Sequence, residues 1–335
     1  MKALQIDEAA VQDVLREQYG LSGQCLALVS ERDHNLRLSA TNGRRYIVKI
    51  AGAEETELIA GMQAEALAHI QMQGFAAEAP AVIRTVTGDL LTSIEQDGRR
   101  HIFRVVSYVS GSPMSAAEAT PQLAASFGKV LAELGLALRA FDHPGKHQPL
   151  LWDMQRALML QDKLVCIPDA GSRSRVAAVF EAFGTEALPQ FATLRRQVIH
   201  NDANPDNVMV DASGQSVTGI IDFGDMLEAP LLVDLAVAAS YLRTPADPLS
   251  LIVPFVAAYH ACVPLTGQEL DLLYLLILTR VATTVTMCHW RAASYAQNDD
   301  YLQFSLATEG DAADFLEALV DIGPAEFRKL LGKAI

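Results

Sequence analysis

The chain reads His200-Asn201-Asp202-Ala203-Asn204-Pro205-Asp206-Asn207 and then, fifteen residues after Asn207, Asp222-Phe223-Gly224. An Asp and an Asn five apart on one loop can divide two tasks. Asp202 can receive the proton of a hydroxyl, and the side-chain carbonyl of Asn207 can bind a cation. Asp222, at the end of the apolar run Gly219-Ile220-Ile221, adds the anionic oxygen that a hard cation prefers. Phosphoryl transfer from ATP needs a proton acceptor, oxygen ligands for Mg²⁺ and neutralisation of phosphate charge at one point. Asn, Asp and Pro also favour turns, and a lone Asp-Phe-Gly would carry little. The joint pattern between two apolar runs carries the reading.

Lys49 stands in Tyr46-Ile47-Val48-Lys49-Ile50, an otherwise apolar run. Such a lysine is either a phosphate ligand or a charge on an edge strand facing water. With the Asp202 loop downstream, we expect a contact with the α- and β-phosphates. Its partner should come from the helix that follows. Gln63 and Glu65 are the candidates, and two residues apart means about 200° around a helix, so one of them faces Lys49. The loop Ser30-Glu31-Arg32-Asp33-His34-Asn35 has no glycine. It can still cover phosphates through backbone N–H groups and the side chains of Arg32 or Asn35.

Acceptor residues are sought beyond the metal loop. Asp225 and Glu228 follow Asp222 closely and can attract an ammonium group. Farther on, Arg280, Thr284, Met287 and Arg291 fall on one face of a helix over 267–295, since eleven residues return to within roughly 20° of the start. Two arginines on a mostly apolar helix need partners. These are either the protein's own acids or the carboxylate of a substrate, which an Arg fork holds well. Asp234 reads as a structural helix residue. His69, His143, His260 and His289 have no metal-ligand spacing and read as structural.

These residues must be positioned by two kinds of structure. Residues 7–19 form a helix stopped by Gly20. Strand-like runs follow at 25–30, 36–41 and 45–50, the last two joined by Asn42-Gly43, a hairpin signal. A helix over 54–73 and strands at 82–87, 90–95 and 101–109 complete a small antiparallel sheet crossed by one helix. After about 113 the pattern turns helical, at 116–141, 231–243, 249–262, 267–295 and 310–321. Two short strands flank the polar cluster. The fold class is α+β, in two parts, 1–108 and 109–335.

The net charge is −14 over 335 residues, with no basic run, which argues against nucleic acid as a partner. The four cysteines form no CxxC pair, as expected of a cytoplasmic protein. The first residues lack the apolar core of a signal peptide. The apolar stretches near 229–242 and 272–288 are broken by Asp234 and Arg280 and read as buried helices, so no membrane is expected. The expected partner is a small hydroxyl-bearing molecule. A monomer and a homodimer both stay open.

The order His, Asp, Asn and then Asp-Phe-Gly resembles the catalytic and metal loops of protein kinases, and Lys49 resembles their phosphate lysine. Over nearly its whole length the sequence resembles the aminoglycoside phosphotransferase and choline kinase superfamily, and within it the hydroxylysine-kinase-like branch. The resemblance rests on Glu31-Arg32-Asp33 with Asn35, Tyr46 to Lys49, Tyr108 with Gly111, and Trp152-Asp153. It continues through His200 to Asn207, Asp222 to Met226, and Asn298 to Leu302. It implies a bilobal protein-kinase-like fold with a small antiparallel-sheet N-lobe and a larger, mostly helical C-lobe. It also implies ATP and Mg²⁺, with adenine on the backbone of Ser107 to Val109. The acceptor would be an amino alcohol or hydroxy-amino acid. An aminoglycoside, choline or homoserine acceptor, and a nucleotide-binding protein without activity, are the alternatives. Asn201 stands where Gly is common, and Gln63 is not Glu.

Overall fold

The computed structural model describes residues 6–30, 33–52, 55–244, 246–294 and 310–335. Arg32, with Glu31, and the segment Asn298 to Leu302 lie outside the described residues.

The first part is built around α1 (Glu8–Tyr19), which buries Val11, Leu15 and Tyr19 along one stripe. It stops at Gly20, whose φ of 62° is the left-handed conformation that glycine adopts without strain. Three antiparallel strands follow, β1 (Gly23–Leu28), β2 (His34–Ala40) and β3 (Arg45–Ile50). Helix α2 (Glu57–Met72) begins at Thr56, which caps the Ile59 N–H. Then come β4 (Val82–Ile83), β5 (Thr92–Gln96) and β6 (Arg99–Ser107). The six strands form one sheet in the order β1-β2-β3-β6-β4, with β5 also on β6.

Alternation along β3 decides where Lys49 goes. Tyr46, Val48 and Ile50 are buried in one core with Leu36, Leu38, Phe103, Val105 and the apolar face of α1. Successive side chains in a strand point to opposite faces. Ile47 and Lys49 therefore face the other way, and Ile47 packs against the second core. The expected strand over 82–87 shrinks to Val82–Ile83. Thr85, Thr87 and Asp89 tie that stretch into a turn instead, through Thr87 Oγ1 to Asp89 (2.6 Å) and the Asp89 N–H to Thr85 Oγ1 (3.0 Å).

The second part holds β7 (Ser112–Pro113), α3 (Pro121–Ala137), a 3₁₀ run over Met154–Cys166 and α4 (Ala170–Ala182). The strands β8 (Arg196–Ile199), β9 (Val208–Val210), β10 (Val217–Ile220) and β11 (Leu227–Pro230) form two small sheets, β10-β9-β7 and β11-β8. The helices α5 (Leu231–Ala239), α6 (Leu249–Cys262), α7 (Gly267–Ser294) and α8 (Ala312–Ala334) complete this part. α8 continues past the expected end near 321, with a kink at Gly323 ahead of Pro324. By length and composition α7 could cross a membrane, but 89% of its most apolar window is buried inside the fold. It is the core helix of this part.

α3 and α6 meet closely at Gly128. A Cβ there would lie 2.0 Å from the Phe255 carbonyl oxygen, and backbone on both sides cannot give way cheaply. Gly128→Ala is expected to cost about 1–3 kcal/mol as an overpacking defect, seen as a lowered melting temperature. Gly332→Ala, in α8 with nothing within 4 Å, should leave melting unchanged or slightly raised. Equal melting of the two variants would count against this packing.

Candidate active site

Strand β8 pairs with β11, Ile199 opposite Leu227, and delivers His200 to the centre of the second part. Asn201 follows with φ 65°, a left-handed conformation that Asn tolerates better than most residues. Its tolerance there accounts for Asn standing where Gly is common. The carboxylate of buried Asp234, from α5, accepts the backbone N–H of His200 (3.3 Å) and of Asn201 (2.8 Å). Asp234 is thus the support under the turn, in line with a structural role.

The His200 ring is fully buried and bridges two loops. Its Nδ1 lies 3.2 Å from the Asp202 N–H and its Nε2 3.0 Å from the Ile221 carbonyl. A backbone N–H can only donate and a carbonyl can only accept. The proton therefore sits on Nε2 and the ring is neutral. Burial lowers its pKa in the same sense. The ring meets Phe223 edge-on at 4.7 Å, so one side chain ties the Asp202 loop to the Asp222 loop.

Asp202 is held by two amides. Asn204 Nδ2 donates to Oδ1 (3.1 Å) and Asn207 Nδ2 to Oδ2 (2.8 Å). Arg280 Nη2 lies 3.8 Å from Oδ1. Burial pushes the Asp202 carboxyl well above the ordinary Asp range, and the charge of Asp225 pushes the same way, while Arg280 opposes both. Asn207 also donates to the Asp202 carbonyl at 2.9 Å. Its nitrogen is therefore spent on Asp202, and its oxygen is the donor left for a cation.

Asp222 sits at φ 58°, and its Oδ1 receives Lys49 Nζ at 2.7 Å. Lys49 is the largest cause holding the Asp222 carboxyl down, at about 2. The donors here are an ionised carboxylate and an amide oxygen, the hard set that Mg²⁺ takes alongside phosphate and water oxygens. Among the described residues no cluster of three His, Cys, Asp or Glu could hold a metal by itself.

Neither expected partner of Lys49 meets it. Glu65 is over half exposed and lies 3.8 Å from His143 Nε2. Gln63 is buried, accepts from Arg104 and donates to the Gly224 carbonyl at 3.3 Å. Arg104, opposite Lys49 across β3 and β6, also pairs with Glu55 at 2.7 Å. Gln148 donates to the same Gly224 carbonyl at 3.2 Å and to that of Met226. Arg104 and Gln148 have no motif to announce them. The alternation that turns Lys49 inward applies equally to Arg104 and could have found it.

Of the residues expected to face the nucleotide, Asn35 lies opposite Lys49 on β2 and donates to Ser30 Oγ at 3.2 Å. Ser107 ends β6, where its N–H and Oγ both bond the backbone of Ala81 (2.8 Å each). Val109 is buried beside Gly219, where a Cβ would come within 2.7 Å of its Cγ1.

Of the residues expected to hold the acceptor, Arg280 and Arg291 converge on Trp152, with their guanidinium carbons 4.5 Å and 5.3 Å from the ring centre. Their Cα atoms are separated by eleven residues, roughly 16 Å of helix, so both side chains lean toward the ring. Arg280 Nη1 also donates to the Trp152 carbonyl (3.0 Å) and Nη2 to the Tyr241 hydroxyl (3.3 Å). Thr284 and Met287, between the arginines, are fully buried. Asp225 is buried and close enough to raise the Asp202 pKa. Glu228 has a partner of its own. Its carboxylate is bound to Lys146 at 2.9 Å, with His147 at 4.0 Å. A lysine neutralises it in this structure, so a substrate amine would have to displace Lys146 to reach it.

A β-sheet with one crossing helix above a helical part, a sheet lysine on an Asp-Phe-Gly aspartate, and a His-Asp-Asn loop beneath define a protein-kinase-like phosphotransferase. Residues 26–273 match the phosphotransferase enzyme family APH, and the chain belongs to it. Over 97% of this chain and 94% of its own length, the hydroxylysine kinase of Danio rerio is 23% identical. The solved structure of a microcompartment-associated aminopropanol kinase superposes over 97% of this chain and all of its own, with TM-score 0.74 at 15% identity. An amicoumacin kinase, solved in complex with AMP-PNP, Ca²⁺ and Ami, covers 92% of this chain and 94% of its own, with TM-score 0.67 at 14% identity.

Proposed function

We propose that this phosphotransferase moves the γ-phosphoryl group of ATP onto the hydroxyl of a small amino alcohol or hydroxy-amino acid of the hydroxylysine type. The observation that carries the reading is the placement of Asp202. It is a half-buried carboxylate held by Asn204 and Asn207, 3.8 Å from Arg280, and joined through His200 to the loop of Asp222. The near full-length likeness to a hydroxylysine kinase supports the acceptor class.

Asp202 accepts the hydroxyl proton as the substrate oxygen bonds to the γ-phosphorus and the bond to the β–γ bridging oxygen breaks, releasing ADP. Its raised pKa suits a base, since proton transfer is best served near the working pH. Asn207 and Asp222 would hold Mg²⁺, which neutralises phosphate charge when bound. Lys49 leaves Asp222 for the α- and β-phosphates. Asn35 and the backbone of Ser107 to Val109 face the nucleotide. The catalysis is positioning and electrostatics, with no covalent enzyme intermediate.

The acceptor is held by charge. Arg280 and Arg291 take its carboxylate over the face of Trp152, Asp225 takes its amine, and the hydroxyl points to Asp202. A hydroxy-amino acid should then be preferred over the matching amino alcohol that lacks the carboxylate. In Arg291→Ala that preference should vanish, with turnover of the decarboxylated compound unchanged. The check is kcat/KM for both compounds in both proteins. Equal kcat/KM in the wild type would end the carboxylate reading and favour choline-like or aminoglycoside-like acceptors. We place the protein in the cytoplasm, since four cysteines scattered along the chain suit a reducing compartment.

A further inference from the structure

Gln63 occupies the helix position from which a glutamate would reach the sheet lysine. The structure gives the amide a different task. Its Oε1 accepts from Arg104 Nη2, and its Nε2 donates to the Gly224 carbonyl at 3.3 Å. The assignment of the two ends is forced, because a guanidinium only donates and a carbonyl only accepts. Gln63 is 3% exposed and Arg104 is equally buried. Arg104 is anchored on its other side by Glu55. The chain of contacts runs from Glu55 through Arg104 on β6 and Gln63 on α2 to Gly224, two residues beyond Asp222.

We infer that Gln63 is a positioning residue that fastens the metal loop to the sheet, and that its amide is required because it must accept at one end and donate at the other. The inference rests on the kinase reading above. Lys49 is bonded to Asp222 in this structure and must turn to the phosphates when nucleotide binds. The loop then loses its tie to β3. Gln63 keeps a second tie, at Gly224, that does not depend on where Lys49 points. Gln148 shares the same carbonyl, but it comes from the second part and cannot link the loop to the sheet.

If Gln63 were a weakened glutamate, Gln63→Glu would be harmless or would raise activity. A carboxylate instead sets an acceptor against the Gly224 carbonyl in a buried place, where an unmatched polar group is costly. The test is calorimetric binding of ADP to the full chain, with and without Mg²⁺, beside kcat and melting temperature. For Gln63→Glu the Mg²⁺-dependent gain in ADP affinity should fall about tenfold, with metal-free ADP binding within about twofold of wild type. Gln63→Met keeps the volume and loses both hydrogen bonds, so it should show a smaller loss in the same sense. It also carries the test if Gln63→Glu does not fold. An unchanged or larger Mg²⁺ gain in either variant overturns the inference and leaves the kinase reading intact. A wild-type protein with no Mg²⁺-dependent gain overturns both.

Discussion

Asp202→Asn is expected to lower turnover by about 10²–10⁴-fold, the usual worth of a positioned proton acceptor, while nucleotide binding stays close to wild type. The substitution keeps the shape and removes the basicity. Asn207 can still donate to the remaining oxygen, as it does to Asp202 Oδ2 now. The new amide nitrogen, however, faces Asn204 Nδ2 and Arg280, which are both donors, so a modest loss of stability should accompany the loss of rate. Lys49 and Asp222 do not touch the changed atoms, which is why ADP affinity should survive. Steady-state kcat and calorimetric ADP binding, run on the same preparation, separate the two effects. Near-normal kcat would mean that another group receives the proton.

Asp222→Ala should be as severe, through binding rather than proton transfer. It removes the only ionised carboxylate assigned here to the cation and leaves Lys49 without the oxygen 2.7 Å away. The Mg²⁺-dependent part of ADP affinity should disappear, and turnover should fall by at least about 10²–10³-fold, the scale of losing one charge-stabilising group at the reacting phosphate. Metal-free ADP binding should hold steady or tighten, because Lys49 no longer has to be drawn from Asp222. ADP titrations with and without Mg²⁺ read this directly. A Mg²⁺ effect of wild-type size would move the metal site elsewhere.

Much of the candidate site was legible because its parts are close in sequence and few residue types can do their work. His200, Asp202, Asn207 and Asp222 were found by order and spacing, and Lys49 by its setting in an apolar strand. The structure brings these together through β3, β8 and the loop after β10. The long helices were legible for the same reason, since a 3.6-residue stripe is read over many turns. What was missed depends on distant segments meeting. Gln63 and Glu65 were weighed as partners of Lys49 by helix register alone, and register cannot show that Arg104 reaches Gln63 first. Glu228 looked like an acceptor residue because it follows Asp222, but pairing of β11 with β8 turns its carboxylate to Lys146. β9, three buried residues, is too short to show a period. The arginine face of α7 was legible as a stripe, whereas its focus on Trp152, some 130 residues earlier in the chain, was not.

The most direct test of the central claim is the phosphorus NMR spectrum of a reaction containing the protein, ATP, Mg²⁺ and 5-hydroxylysine, set beside the same reaction with lysine. The two acceptors differ only in the hydroxyl that Asp202 is proposed to deprotonate. A phosphomonoester resonance should grow with hydroxylysine, matched by ADP, and be absent with lysine and with Asp202→Asn. ADP formed at the same rate with both acceptors, with inorganic phosphate in place of an ester, would contradict the account.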